Sequence, residues 1–332
     1  MKVLKISEHV YTASFSRSHP SYLTGFPQRE TYLFADNTDI DVVWHRHGPL
    51  DRPDARCDAA VAVRRAAEGV DRIVFDNPIS AHVLDPDLFR IATFDCCDWY
   101  LEYHDCEFGR DDGFELLAAG LDKAIAGCQS CIVQSETMRA WYLSRPGVAA
   151  QQCLTLPNGF DAARFHPGQS DIRFDRTTVL FAGKLGRWYR GLHQVVKALP
   201  TDWQLILVGD GPCRGEYEGL ANVRCTGRLN LDEVADYVRG ADICVMPVND
   251  CSPIATSEYL ACAKPVVHLG PRITWLIRDG DNGYIADASI DSWAGKLVEA
   301  SEAPQDLTER AKETPRPWGR LREEATEWLH TI

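Results

Sequence analysis

The sequence predicts an α/β protein built from two doubly wound, Rossmann-like domains. Its 332 residues exceed what one hydrophobic core comfortably supports, so two domains are expected, with a cleft between them. Short apolar runs alternate with helical-looking segments along both halves of the chain. Many of those runs are continuous in Val, Ile and Leu rather than alternating with polar residues. Such strands are buried on both faces, which implies a parallel sheet covered by helices, with ligands bound at the carboxyl ends of the strands.

In the first half, strands are expected at KVLKI (2–6), DVVW (41–44), DRIVF (71–75), RIATF (90–94), SCIVQ (130–134) and QCLTLP (152–157). Helices fit 55–68 and 113–126, and residues 16–37, rich in Ser, Pro, Tyr and Gly, read as a long functional loop. PNGFDAARFHPGQSD (157–171) has the composition of a turn and hinge. The second half gives clearer strands at TVLFAG (178–183), WQLILVG (203–209), NVRCTG (222–227), ADICVMPV (241–248) and KPVVHLG (264–270). Helices fit between them at 189–199, 230–239 and 255–262, and beyond them at 289–301, 304–313 and on to 332. The expected division is an N-terminal domain over 1–160, a C-terminal domain over 161–315, and a last helix, 316–332, that returns to the first domain.

Composition narrows the class. At 45% hydrophobic and 25% charged, the chain is neither disordered nor fibrous. The formal charge is -13, both halves are acidic, and no Lys/Arg cluster offers a nucleic-acid face. The same acidity argues against strong electrostatic attachment to a membrane and leaves only weak peripheral contact. The opening MKVLKISEHVYTASF lacks a signal-peptide core, and no apolar run approaches the roughly 18 residues of a membrane span, so a cytoplasmic protein is expected. The 12 cysteines then read as reduced thiols rather than a disulfide framework.

Several segments of the second half carry a more specific signal in their order and spacing. They are LPNGFDAARF, FAGKLGRWYRG, LILVGDGP, V-x-C-T-G-R, ADICVMPVND, and SEYLACAKPVV followed by DGDNGYIA. Together they resemble the GT-B glycosyltransferases of the family-4 kind, the group that includes bacterial polysaccharide-building enzymes. The resemblance implies a GT-B fold, with a nucleotide-sugar donor (UDP- or GDP-linked) held mainly by the second domain. An acceptor hydroxyl of a glycan, a lipid-linked or a small-molecule acceptor would then be held by the first. No metal cofactor is implied.

Residue by residue, Lys184 and Arg190 fall where the family places the cations that hold the donor diphosphate. Gly183 and Gly191 stand beside them in register. Fixed cations and helix N-terminal N–H groups stabilise the charge that grows on the leaving diphosphate. Asp250-x7-Glu258 is similar to the family's paired-carboxylate motif. By that resemblance Glu258 takes the ribose hydroxyls and Asp250, shorter than the usual Glu, lies beside the donor sugar. Between them Ser252-Pro253 replaces the family's Phe-Gly. Pro253 has no N–H, so phosphate contact falls to Ile254, Ala255, Thr256 and Ser257 at the helix start. Gly227 and Arg228 mark the expected nucleobase region. The family glycine before Lys-Pro is Ala263, a change expected to concern packing only.

The first domain is less specific. It lacks the family's Gly-Gly loop after the first strand, where this chain runs Glu8 to Phe15 with Ser14 as an acceptor-side candidate. FDCCDWYLEYHD (94–105) resembles a Tyr-Asp-x-x-Asp-Asp/Trp segment, making Asp95 and Asp98 candidates to orient or deprotonate an acceptor hydroxyl. Both also read simply as caps of the following segment. His82 and Trp99 complete the acceptor-side set, and Phe15, Tyr22, Phe26, Trp99, Tyr100, Tyr103 and Trp141 offer aromatic faces to sugar rings or to the core. A metal site at His45, His47 and Cys57 is disfavoured because alternate strand residues face opposite ways. Cys128-x2-Cys131 lacks a second pair. Retention of anomeric configuration is the family expectation, with inversion left open by the altered Asp250 and the Asp95/Asp98 segment. Two other readings stand beside catalysis: a non-catalytic nucleotide-sugar-binding partner, and an NAD-dependent oxidoreductase drawn from Gly209-Asp210-Gly211.

Overall fold

Two parallel six-stranded sheets organise the chain, one in each half. The computed structural model describes residues 1–8, 25–35, 37–47, 50 and 53–332. Contacts divide it into two units, of which the first contains Phe26–Pro157 together with both ends of the chain, and the second contains Asn158–Trp318.

The first sheet comprises β1 (Lys2–Glu8), β2 (Asp41–His47), β3 (Arg72–Phe75), β4 (Ala92–Cys96), β5 (Ser130–Val133) and β6 (Gln152–Thr155), ordered β2-β1-β3-β4-β5-β6. All pairings are parallel, as the continuous apolar runs predict. The helices that cover it are α1 (Gly25–Glu30), α2 (Pro53–Ala66), α3 (Tyr100–Phe108), α4 (Asp112–Gly127) and α5 (Glu136–Leu143). Side-chain caps fix two of them: Asp111 accepts from Phe114 N–H at the start of α4, and Ser135 from Met138 N–H at the start of α5.

Residues 25–35 correct the expectation of an extended loop over 16–37. Helix α1 runs on into a π-helical turn, Thr31–Ala35, whose Tyr32, Leu33 and Phe34 are buried. Pro27 lies in the first turn, where its missing N–H costs no helical bond. The apolar run behind it then drives the segment into the core.

The second sheet comprises β7 (Thr178–Ala182), β8 (Gln204–Val208), β9 (Val223–Gly227), β10 (Ile243–Met246), β11 (Val266–Leu269) and β12 (Tyr284–Ala286). Read from the other edge, its order is β9-β8-β7-β10-β11-β12. This is the Rossmann arrangement, with the order reversing between β7 and β10. Helices α6 (Leu192–Ala198), α7 (Leu231–Gly240), α8 (Ile254–Ala261), α9 (Ile290–Ser301) and α10 (Gln305–Lys312) complete the unit. Its core is a single cluster that includes Val179, Leu180, Phe181, Ile206, Leu207, Val245, Val267 and Trp293.

The last helix, α11 (Trp318–Thr331), falls almost wholly in the first unit, where Thr326 Oγ1 accepts from Asn37 Nδ2 at 2.7 Å. All 12 cysteines are free thiols, most of them buried.

Ala263 departs from its expected role as a packing change. Its φ is +57°, in the left-handed region that a glycine occupies without strain. The alanine therefore holds a strained backbone at the turn between α8 and β11, at a cost of about 1–2 kcal/mol.

Candidate active site

The site in the second unit is built where β7 and β10 part. These strands pair only at Ile243–Val179 and Cys244–Leu180. Beyond that point the ladder is completed by a side chain: the Tyr259 hydroxyl, from α8, accepts from Ala182 N–H at 2.7 Å. A crevice at such a switch point is the common ligand site of open α/β sheets.

After Ala182 the chain turns through Gly183 and Lys184. Gly183 N–H donates to Val208 O at 2.9 Å, which carries the turn alongside the end of β8. The approach is so close that a Cβ on Gly209 would lie 1.9 Å from Gly183 O, and Gly209 itself has φ +145°. A Cβ on Gly191, at the far end of the same loop, would lie 2.2 Å from Pro247 O, just beyond β10. Backbone packed on backbone thus holds the loop at both ends, while Lys184 and Arg190 between them are exposed. This packing also explains Gly209-Asp210-Gly211. The space in front of Gly209 is filled by the chain's own carbonyl, and Gly211 meets Leu185 O in the same way. These glycines serve packing and leave no dinucleotide cradle.

On the other side of the crevice, β10 leads through Asn249 and Asp250 into α8. Asp250 is half-buried, and its Oδ1 accepts from Cys251 N–H at 2.6 Å. Burial pushes its carboxyl pKa up, against the opposing pull of the Cys251 and Ser252 amides and the Arg272 charge. The loop that follows is clamped from two directions. Asn158 donates from its backbone N–H to Ser252 Oγ at 2.9 Å and from Nδ2 to Ser252 O at 2.7 Å. Trp275 Nε1 donates to Cys251 O at 2.5 Å. Neither residue is marked by the sequence, in which Asn158 reads only as part of the hinge.

Helix α8 begins immediately after Pro253, and Glu258 lies in its second turn, 4% exposed. The donor candidates of the first turn divide by geometry. Ile254 is half-buried at the helix start, whereas Thr256 N–H is already taken by Pro253 O at 3.1 Å and its hydroxyl is buried. Ser257 Oγ faces Asn158 O at 3.4 Å. Ser257 therefore helps to seat the helix, the Thr256 hydroxyl has no hydrogen-bond partner among the described residues, and the free amides of the first turn belong to the residues before them. Gly227, with φ +77°, accepts from Gly209 N–H at 3.0 Å, and Arg228 next to it is exposed. Lys184 and Gly227 thus stand just beyond and at the carboxyl ends of β7 and β9, and Glu258 lies on the helix that follows β10, all within one unit.

In the first unit the candidates are scattered. Asp95, on β4, is buried in a bidentate pair with Arg29, with Nε–Oδ2 and Nη2–Oδ1 both at 2.9 Å. Arg29 also donates to Pro157 O at 3.2 Å. With both carboxylate oxygens occupied, Asp95 joins α1 to the sheet and is not placed to take a proton from an acceptor. Asp98 is half-buried between β4 and α3 and accepts from Trp99 N–H at 2.7 Å. His82 Nε2 is bonded to Leu116 O at 3.0 Å, which ties it to α4. Trp99 packs edge-to-face on Trp141, with centroids 5.4 Å apart. Ser14 lies outside the described residues, as do Phe15 and Tyr22 and the side chain of Phe26. Among the described residues, no group of three or more His, Cys, Asp and Glu side chains is arranged to hold a metal ion.

Beside Asp95 lies a second buried charge cluster that the sequence did not reveal. Lys5 Nζ, fully buried on β1, contacts Glu30 at 3.1 Å and Asp76 at 2.9 Å. Two carboxylates share one ammonium. Burial and the Asp76 charge raise the Glu30 pKa to about 8, against the pull of Lys5.

Comparison with known proteins agrees with this architecture. Residues 176–302 match the family of glycosyl transferases group 1. No curated relative matches the chain. Among solved structures, sucrose-phosphate synthase from Thermosynechococcus elongatus is 17% identical, with a TM-score of 0.79 over 99% of this chain and 98% of that one. HepE from Anabaena, solved in complex with UDP-glucose, is 16% identical with a TM-score of 0.74 over the full length of both chains. WaaG, a glycosyltransferase of lipopolysaccharide biosynthesis, is 17% identical with a TM-score of 0.68 over 99% of each. No helix among the described residues is long and apolar enough to cross a membrane. Residues 176–302 are thus a domain of the glycosyl transferases group 1 family, and the chain has the GT-B fold of these enzymes along nearly its whole length.

Proposed function

We propose that the enzyme transfers a sugar from a UDP- or GDP-sugar to a hydroxyl of a glycan, lipid-linked or small-molecule acceptor in the cytoplasm, with retention of the anomeric configuration and without a metal ion. The observation that supports this reading is that Lys184 and Arg190 lie on the loop after β7 while Asp250 and Glu258 lie on the segment after β10, the two strands between which the order of the second sheet reverses. Exposed Lys184 and Arg190 supply the charge a departing diphosphate needs, and the open amides at the start of α8 add to it. Buried Glu258 is suited to accept from ribose hydroxyls, and Asp250, with its raised pKa, lies toward the sugar. UDP-glucose bound to HepE, which shares the fold, supports a nucleotide-sugar donor. The first domain takes the acceptor. There Asp98 is the remaining carboxylate candidate to orient the acceptor hydroxyl, since Asp95 is spent on Arg29.

Calorimetric titration with UDP and GDP tests the donor reading. One of the two is expected to bind wild type, and Glu258→Ala and Lys184→Ala should each weaken it at least tenfold. If neither nucleotide binds, or both variants bind as wild type does, the assignment fails. Donor binding without hydrolysis or transfer to any acceptor would instead identify a non-catalytic nucleotide-sugar-binding protein.

A further inference from the structure

A cavity of about 180 Å³ lies in the first domain among α3, α4 and α5, lined by Trp99, Tyr100, Leu101, Glu102, Leu121, Trp141 and Arg145. It is smaller than the roughly 300–1,000 Å³ of sites for drug-sized ligands, which limits its occupant to about one sugar ring. Its walls combine the two chemistries that a pyranose presents. The edge-to-face indoles of Trp99 and Trp141 offer apolar surface to the ring's C–H groups. Polar groups stand beside them: Arg145 stacks over the Trp141 ring at 5.7 Å, and Glu102 supplies a carboxylate.

One atom is out of place in a merely structural crevice. Arg145 Nε is buried and has no hydrogen-bond partner among the described residues, although a buried donor left unsatisfied costs about 1–3 kcal/mol. A sugar hydroxyl in the cavity would accept from it. The charge balance then selects among sugars. Arg145 is already paired with Asp122 at 3.3 Å, and Glu102 adds another negative charge, so a uronic acid would meet net repulsion. The cavity also adjoins Asp98 in the chain, whose carboxylate holds the N–H of Trp99.

From this we infer that Trp99, Trp141, Arg145 and Glu102 form a subsite for one neutral pyranose unit of the acceptor. The assignment of that sugar to the acceptor rests on the function proposed above; the existence of the subsite does not. The test uses the full chain with methyl glucoside, galactoside and mannoside in both anomeric forms and with methyl glucuronide, read by saturation-transfer NMR and calorimetry without any nucleotide. At least one neutral glycoside should bind wild type more tightly than the glucuronide. Trp141→Ala and the more conservative Arg145→Gln should each weaken that binding at least tenfold while UDP or GDP affinity stays unchanged. The inference is overturned if no neutral glycoside binds, if the glucuronide binds best, or if both variants bind as wild type does. Glycoside binding with no nucleotide binding would overturn the donor assignment and leave the subsite standing.

Discussion

Replacing Glu30 by Gln should stabilise the first domain above pH 4.5, by an amount that grows until about pH 8. Glu30 and Asp76 both contact the buried Lys5, so ionising both leaves an uncompensated negative charge in the core. Glu30 keeps its proton up to about pH 8 in the folded chain, whereas in the unfolded chain it loses it near its ordinary 4.5. Between those limits the native state binds more protons than the unfolded state, so stability falls as pH rises. At about 1.4 kcal/mol per unit, the loss across that interval is on the order of 5 kcal/mol. In Glu30→Gln the amide donates to Asp76 in place of the proton, and nothing titrates. Variant and wild type should therefore match below pH 4.5 and diverge progressively until about pH 8. Urea unfolding, read by hydrogen–deuterium exchange of peptides from β1 and β3, isolates the first domain from the second. A difference that does not change with pH, or a variant less stable than wild type at pH 8, would refute the shared-proton account.

Three further substitutions probe the second domain. Gly209→Ala would drive a Cβ into Gly183 O and should cost about 2–4 kcal/mol, with UDP or GDP affinity falling at least tenfold as Lys184 shifts; an unchanged melting temperature would contradict it. Tyr259→Phe strips the acceptor from the buried Ala182 N–H and should lower stability by about 1–3 kcal/mol in a denaturant titration. Ala263→Gly relieves the left-handed strain at φ +57° and should raise stability by about 1 kcal/mol without altering transfer, as a melting curve and an activity assay would show.

What could be read from the sequence was local. Strands β7 to β11 and the helices between them announce themselves through continuous apolar runs and helical spacing, and Lys184, Arg190, Asp250 and Glu258 sit at offsets that a linear motif can hold. What escaped is long-range. An aspartate at a strand end reads the same whether it faces a substrate or, like Asp95, an arginine 66 positions away. Asn158 reads as a turn residue, yet it clamps Ser252, 94 positions later. The strain at Ala263 is invisible because an alanine carries no mark of the φ its turn demands. Helix α5 is hard to read from sequence for a different reason: Ser135, the residue that caps it, comes two residues after the end of a strand, and the segment is short.

The two sheets treat charge at their carboxyl ends in opposite ways, and this bears on which domain holds the donor. In the first, Lys5, Glu30, Asp76, Arg29 and Asp95 are all buried and neutralise one another. Charges balanced against one another inside the domain attract no external anion. In the second, Lys184 and Arg190 are exposed on a loop held by glycine packing, in a chain of formal charge -13 that would otherwise repel a diphosphate. This contrast supports the second sheet as the one that takes an anionic donor. Raising ionic strength should weaken UDP or GDP binding in wild type, and less steeply in Lys184→Ala, because the screened attraction resides in those few side chains. A salt dependence identical in the two proteins would place the binding charge elsewhere.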